Sequence, residues 1–377
     1  MRFLFYTHSL VSDWNHGNAH FLRGVMRELL RRGHDAVALE PSDSWSRLNL
    51  IADQGVGAIA AFRKHFPELR TVVYGTDFDH EAAVADADVV VVHEWTDPQL
   101  VARLGRFRRD DSGFRLAFHD THHRAVSAKA DIAGLDLSHY DFVLAFGEAL
   151  RERYLKAGWG KHVHVWHEAA DTSLFHPMPQ TEKRGDLVWI GNWGDDERSA
   201  EIMSFLVEPT RRLKLATTVR GVRYPVAALK ALRDAGIVYG GWVANAAVPR
   251  AFAEHRATIH IPRRPYIEAL PGIPTIRVFE ALACGIPLIS APWNDAEGLF
   301  RPGKDFVVAR NGKEMRRHLR QVLSDRAFAQ ELALSGLEAI EARHTCRHRV
   351  DELLEILARY RPGKPPDERA ALKEAAI

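Results

Sequence analysis

Leu270-Pro-Gly-Ile-Pro-Thr-Ile-Arg-Val-Phe-Glu-Ala-Leu-Ala-Cys-Gly-Ile-Pro-Leu-Ile-Ser290 is the stretch on which the fold of this chain turns. Pro274 suits the first position of a helix and Gly285 its C-terminal stop, so the spacing predicts a helix over 274–284. Leu288–Ile289 then reads as a strand. The loop before the helix is shaped by glycine and proline. A helix start of this kind presents unpaired N–H groups and a partial positive charge, a seat suited to a diphosphate. Arg277 and Glu280 are three residues apart and share a helix face. A carboxylate beside a nucleotide can accept hydrogen bonds from ribose hydroxyls. Equally, the two side chains can form a surface ion pair on an ordinary capped helix.

Outward from this stretch, short apolar runs alternate with amphipathic ones. Strands are expected at Phe3–Tyr6, Ala36–Leu39, Thr71–Tyr74, Val89–Val92, Arg115–Phe118, Phe142–Ala145 and Val163–Trp166. The run Val89–Val92 is continuous and β-branched, as in a strand covered on both faces of a parallel sheet. Residues 18–32 read as a helix with Leu22, Val25, Met26 and Leu29 on one face. The segment from Asp171 through Pro179 to Gly185 reads as a linker. The alternation then restarts, with strands at Leu187–Ile190, Leu215–Val219, Ile237–Tyr239 and Thr258–Ile261. The expected fold is α/β: two Rossmann-like, doubly wound domains facing a central cleft, with C-terminal helices. The boundaries are 1–170, a linker at 171–185, 186–345, a helix at 346–360, and a loosely ordered tail at 361–377.

The bulk composition agrees. A chain of 377 residues suits two cores, and 46% hydrophobic with 27% charged residues is ordinary for a globular enzyme. A net charge of +2 supplies no global basic field for nucleic acid. Two cysteines, Cys284 and Cys346, are too few for a disulfide framework. The short apolar run at the N-terminus lacks the features of a signal peptide, and no stretch reaches the length of a membrane span. A cytoplasmic protein is expected, with peripheral membrane contact left open; the oligomeric state is not legible.

The stretch around Glu280 resembles the donor-binding helix of GT-B glycosyltransferases, in particular the CgeB-like, group-1-type branch with its Arg-x-Phe-Glu-Ala-x-Ala-x-Gly core. Asp171-Thr-Ser-Leu-Phe-His-Pro177 resembles the linker of these enzymes, and Trp189-Ile-Gly-Asn-Trp-Gly194 the first strand and loop of their second domain. Tyr239-Gly-Gly-Trp-Val243, followed by Val248-Pro249, resembles their nucleobase-side loop. The resemblance covers nearly the whole chain, with its specific motifs mostly in the second half. It implies that Glu280 binds the ribose, that the backbone of Thr275 and Ile276 with Arg277 lies near diphosphate and sugar, and that Trp242 sits on the base side. Related family-four enzymes carry a second glutamate eight positions upstream, where this chain has Gly272. Glu268 is a substitute at the wrong spacing.

Other candidates come from the ends of expected strands, where open α/β sheets collect ligands. Arg220, Arg223, Arg263 and Arg264 could neutralise a leaving diphosphate, or be solvated surface arginines. Asn192 lies in a loop expected to line the cleft, and Asp195, Asp196 and Glu197 to complement a following helix dipole. In the first half, Phe118-His-Asp-Thr-His-His123 ends a strand. His122 or His123 could take a proton from an acceptor hydroxyl, with Asp120 orienting the ring; a polar turn or a zinc site are the competing readings. In Trp14-Asn-His-Gly-Asn-Ala-His20, the side chains of His16, Asn18 and His20 could meet acceptor or sugar, or an asparagine could simply cap the helix. Asp77-Phe-Asp79 matches a metal-binding triplet of the other large glycosyltransferase fold but reads better as a helix cap at Asp79. His167-Glu-Ala-Ala-Asp171 lacks the second histidine of a metalloprotease helix.

The expected function is therefore metal-independent transfer of a sugar from a nucleotide-sugar, a substrate rather than a cofactor, to an unknown acceptor hydroxyl. A catalytically silent nucleotide- or sugar-binding scaffold and a nucleotide-sugar epimerase are the alternatives. A dehydrogenase ranks low because no Gly-x-Gly-x-x-Gly follows a strand.

Overall fold

The computed structural model describes residues 1–109 and 113–360; the tail expected at 361–377 lies outside the described residues. The chain forms two compact units. Among the described residues, the first holds Met1–Ser12, Leu22–His167 and residues 347–360; the second holds Asp13–Phe21 and Glu168–Cys346. The loop before the first helix thus belongs with the second unit, although it lies in the sequence of the first.

The first unit is built on seven parallel strands: β1 (Arg2–Tyr6), β2 (Asp35–Pro41), β3 (Arg70–Tyr74), β4 (Val89–His93), β5 (Arg115–Asp120), β6 (Phe142–Ala145) and β7 (Val163–Val165). Their order is β3-β2-β1-β4-β5-β6-β7. Val89–Val92 pair with Phe3–Tyr6 on one side and with Arg115–Phe118 on the other. Every residue of β4 is buried, as the β-branched run requires of a central parallel strand. β3, at the sheet edge, is mostly exposed.

The second unit has six parallel strands: β8 (Gly185–Ile190), β9 (Thr217–Arg220), β10 (Val238–Tyr239), β11 (His255–His260), β12 (Leu288–Ser290) and β13 (Val307–Val308), in the order β10-β9-β8-β11-β12-β13. β13 is two residues long. Leu187, Trp189, Val219, Ala257, Ile259 and Ile289 of these strands share one core with Phe205, Leu206, Met315 and Leu319 of the covering helices. Each aliphatic side chain buried in this way contributes about 1.5–3 kcal/mol. Of the C-terminal helices, Gly312–Ser324 is capped by Asn311, whose side chain accepts from the N–H groups of Lys313 and Glu314. Cys346–Ala358 rejoins the first unit, where Trp166 Nε1–H donates to the Arg349 carbonyl at 2.7 Å. Among the described residues no helix is long and apolar enough to cross a membrane.

In both sheets the strand order reverses once: between β1 and β4, and between β8 and β11. The carboxyl ends beside such a reversal form the crevice in which open α/β sheets hold ligands. In the second unit the crevice depends on close backbone contact. Gly221 follows β9 with φ +152°, and a Cβ there would lie 2.0 Å from the Gly191 carbonyl oxygen. Gly221→Ala is expected to cost about 3 kcal/mol through backbone strain and displacement of the loop after β8. Chemical denaturation measures it, and an unchanged midpoint contradicts the packing.

Candidate functional site

The carboxyl ends of β8 and β11 are joined by one guanidinium. Arg198 donates through Nη1 to the Ile261 carbonyl at 2.9 Å. Through Nη2 it donates to the backbone and side-chain oxygens of Asn192, at 2.9 and 2.7 Å. Its charge sits 5.3 Å from the centre of the Trp189 ring. Among the described residues it pairs with no carboxylate. Burial and then the neighbouring Arg263 push its pKa down to about 9, which leaves it charged at neutral pH. Arg263 donates to the same Asn192 oxygen at 3.0 Å and pairs with Glu197. Asn192 also donates to Asn15, so the 13–21 loop is tied to this edge.

Next to this pair lies the helix Ile276–Ala283. Pro274, expected at its first position, lies outside it. Thr275 keeps an extended backbone, with φ −80° and ψ 158°, and is the N-cap, so the helix begins at Ile276. The Thr275 side chain makes no cap hydrogen bond; its hydroxyl instead meets His260 Nε2 at 3.2 Å. Ser290 gives its hydroxyl hydrogen to the Ala291 carbonyl and therefore accepts from His260 Nδ1, at 3.0 Å. That fixes the ring with hydrogen on Nδ1 and lone pair on Nε2, ready for the Thr275 hydroxyl. Burial, then Arg198 and Arg277, lowers the His260 pKa to about 3, so the ring is uncharged. A threonine that would cap the first turn is thereby drawn aside, and the first turn carries no acidic residue to complement its dipole.

Glu280 is fully buried, and both of its oxygens are engaged. Oε2 accepts from Arg277 and Oε1 from His20 Nδ1–H at 2.7 Å. The Asp171 N–H donates to His20 Nε2 at 2.9 Å, which places the ring hydrogen on Nδ1. Phe175 stacks on this ring at 4.0 Å with an 8° interplanar angle. His20, expected to meet acceptor or sugar, is instead a buried support for Glu280. The loop carrying it is fitted to the helix start: a Cβ on Gly17 would lie 3.1 Å from Ile276 Cγ2. Gly272 has φ +89°, and the place where its side chain would be is filled by Glu297, whose Oε1 lies 2.9 Å from the ideal Cβ. Glu268 lies exposed on the helix Arg264–Ala269.

The four arginines considered for the diphosphate have separate partners. Arg263 joins Arg198, a residue the sequence did not single out. Arg220 donates to the Gly240 carbonyl, Arg223 pairs with Asp195 at 2.8 Å, and the exposed Arg264 donates to the Glu197 carbonyl at 3.1 Å. Nor do Asp195, Asp196 and Glu197 begin a helix. Asp195 and Asp196 have φ of +43° and +63°, and the helix starts at Ser199. Asp195 and Glu197 are arginine partners rather than dipole partners. Trp242 is half-buried, and among the described residues its Nε1–H has no hydrogen-bond partner.

In the first unit the ends of β4 and β5 bring together His93, Glu94, His119, Asp120, Thr121, His122 and His123. Asp120 does not orient a histidine ring as expected. Its carboxyl accepts from the Tyr154 hydroxyl at 2.7 Å and from the His122 N–H at 3.0 Å. His123 is buried and pairs through Nδ1 with Ser127 Oγ at 2.8 Å; His122 is half-buried. Burial lowers the pKa of His93 to about 3 and that of His119 well below its ordinary value, so both rings are uncharged. Glu94, which the sequence did not flag, meets His93 Nε2 at 2.9 Å. Asp79 caps the helix His80–Ala85 by accepting from the Ala82 N–H, as expected.

Residues 198–355 match the model of a glycosyl transferase-like family. The two-sheet architecture is the GT-B fold, shared with several solved structures at low sequence identity. Sucrose-phosphate synthase from Thermosynechococcus elongatus superposes with a TM-score of 0.64 at 12% identity, covering 94% of this chain and 98% of its own. Anabaena HepE in complex with UDP-glucose gives 0.68 at 13%, covering 95% and 99%. An alpha-glucosyltransferase in complex with UDP gives 0.68 at 11%, covering 94% and 99%. Sequence comparison with curated proteins gives no match. In this GT-B chain the expected donor helix and the arginine-bearing edge lie within one unit.

Burial, then the charge of Glu94, raises the Asp120 pKa from 3.8 to about 8. The folded protein binds this proton more tightly than the unfolded chain does. The stability it brings is complete below the unfolded value and is lost as pH rises through about 8. Asp120→Asn keeps an oxygen for the His122 N–H and carries no charge. Its melting temperature relative to wild type is expected to rise from pH 5 to pH 9; a constant difference contradicts the assignment.

Proposed function

We propose that the protein transfers a hexosyl group from a nucleotide-sugar to an acceptor hydroxyl, without a metal ion. The observation that carries this is Arg198: a guanidinium largely withdrawn from solvent, with no carboxylate partner, beside an uncapped helix start at the reversal point of the second sheet. A cation so placed is stabilised by an anion. A diphosphate bound by Arg198, Arg263 and the N–H groups at Ile276 meets that need. The same groups stabilise the charge that grows on the diphosphate as the glycosidic bond breaks, the task a metal ion performs elsewhere. The complexes of HepE with UDP and of the alpha-glucosyltransferase with UDP support a nucleoside diphosphate as the ligand.

The ribose is assigned to Glu280. Arg277 covers that carboxylate in the free protein, so ribose binding requires Arg277 to move off Oε2 toward the phosphates, while His20 holds Oε1 in place. Glu297, in the space left by Gly272, is assigned to the sugar hydroxyls in place of the upstream glutamate. Trp242 is assigned to the base. His122 and the other groups at the ends of β4 and β5 are assigned to the acceptor. The sealing of Glu280 in the free protein is the one feature that favours a binding-only scaffold, and turnover decides between the two.

Arg198→Met removes a charge-assisted contact worth about 1.5–3 kcal/mol, so UDP affinity is expected to fall about ten- to hundredfold in calorimetry. Unchanged affinity removes the diphosphate seat. Glu297→Gln is expected to weaken UDP-glucose more than UDP, and equal loss for both places Glu297 away from the sugar. Donor turnover is expected to persist in excess EDTA; its abolition there, with recovery on adding Mg²⁺, contradicts a metal-independent reaction.

A further inference from the structure

The reversal point of the first sheet also carries an exposed aromatic ring. β1 and β4 lie side by side there, and their carboxyl ends lead into His8 and into Glu94-Trp95. Trp95 is 36% exposed, among the few large apolar side chains left open to solvent. Its ring is held in place. The Arg124 guanidinium lies 4.4 Å from the ring centre and is itself anchored to the Glu94 carbonyl at 2.8 Å and to Asp131 at 3.2 Å. His122 meets the ring edge-on at 5.5 Å. His8 lies 6.3 Å away and packs in turn on the half-buried Trp45 at 4.7 Å.

We propose that Trp95, flanked by His122 and by His8 with Trp45, is the platform for a neutral carbohydrate acceptor. The claim rests on the transferase reading above and names its acceptor class. An indole fixed by a cation and left open over a third of its surface loses little entropy when a pyranose lies on it. The C–H groups of the sugar face carry slight positive charge and meet the negative face of the ring. The charges nearby argue against an anionic acceptor. Arg124 is matched by Asp131, and Asp97 caps the next helix by accepting from the Gln99 and Leu100 N–H groups.

The test applies the labelled full-length protein, with UDP, to an array of neutral oligosaccharides carrying duplex DNA and phosphatidylserine vesicles as further spots. Wild type is expected to bind at least one neutral oligosaccharide, which should also quench indole fluorescence in solution. Trp95→Leu, of similar apolar character without a π face, is expected to lose at least tenfold in affinity, and Trp95→Phe to stay within threefold. Both variants are expected to keep the wild-type thermal shift with UDP, which also shows that they fold. Retention of DNA or vesicles in place of neutral glycans overturns the proposal, as does Trp95→Leu binding like wild type. If UDP gives no shift in wild type while glycan binding still depends on Trp95, the donor assignment fails and the platform stands.

Discussion

A single guanidinium spans the reversal point of the second sheet, and much of the surrounding order follows from it. Arg198 reaches the backbone at the end of β11 and both oxygens of Asn192 after β8. Three hydrogen bonds to neutral oxygens hold the charge without neutralising it. Burying such a charge is unfavourable unless an anion arrives, and a built-in carboxylate would remove the need for one. The nearest acidic side chain is already committed: Glu197 pairs with Arg263. The site is therefore organised around a charge deficit, and the diphosphate of the proposed donor is the anion that answers it.

A second constraint acts on the helix beside it. Buried polar groups must find partners, and here two histidines supply them in opposite senses. His260 takes the Thr275 hydroxyl away from the cap position and so keeps the first turn open. His20 donates to Glu280 and so fixes the direction of a carboxylate at the core of the same helix. In each case the ring tautomer follows from a neighbour whose role is unambiguous, the Ser290 hydroxyl in one and the Asp171 N–H in the other. Arg277 is then the movable member, partly buried and paired to the one Glu280 oxygen that His20 does not use.

The strands were largely legible because alternation, β-branching and glycine stops are local signals. Val89–Val92 and the Glu280 helix are the clearest cases. β13 escaped, although β10, equally short, was found. The helix expected over 274–284 was found, but its start was misplaced by two residues: Pro274 fits a helix start on propensity, while Thr275, in tertiary contact with His260, is the actual cap. Arg198 was passed over because it follows three acidic residues and reads as part of a charged turn. Only the left-handed backbone at Asp195 and Asp196 turns it back toward β11. Glu297 was invisible for a similar reason, since its meeting with Gly272 is a contact across 25 positions that no spacing rule encodes. His20 was noticed as a histidine in a ligand-facing loop, yet its burial against Phe175 depends on a segment 155 positions away.

The central claim is that the uncompensated charge of Arg198 and the open helix start together receive a diphosphate. A crystal structure of the protein with UDP tests it most directly. The expected result has the phosphates bonded to Arg198 and to the backbone N–H of Ile276, with Arg277 moved off Glu280 and the ribose in its place. A diphosphate bound elsewhere, or held through a metal ion with Arg198 still bonded only to Ile261 and Asn192, would contradict it.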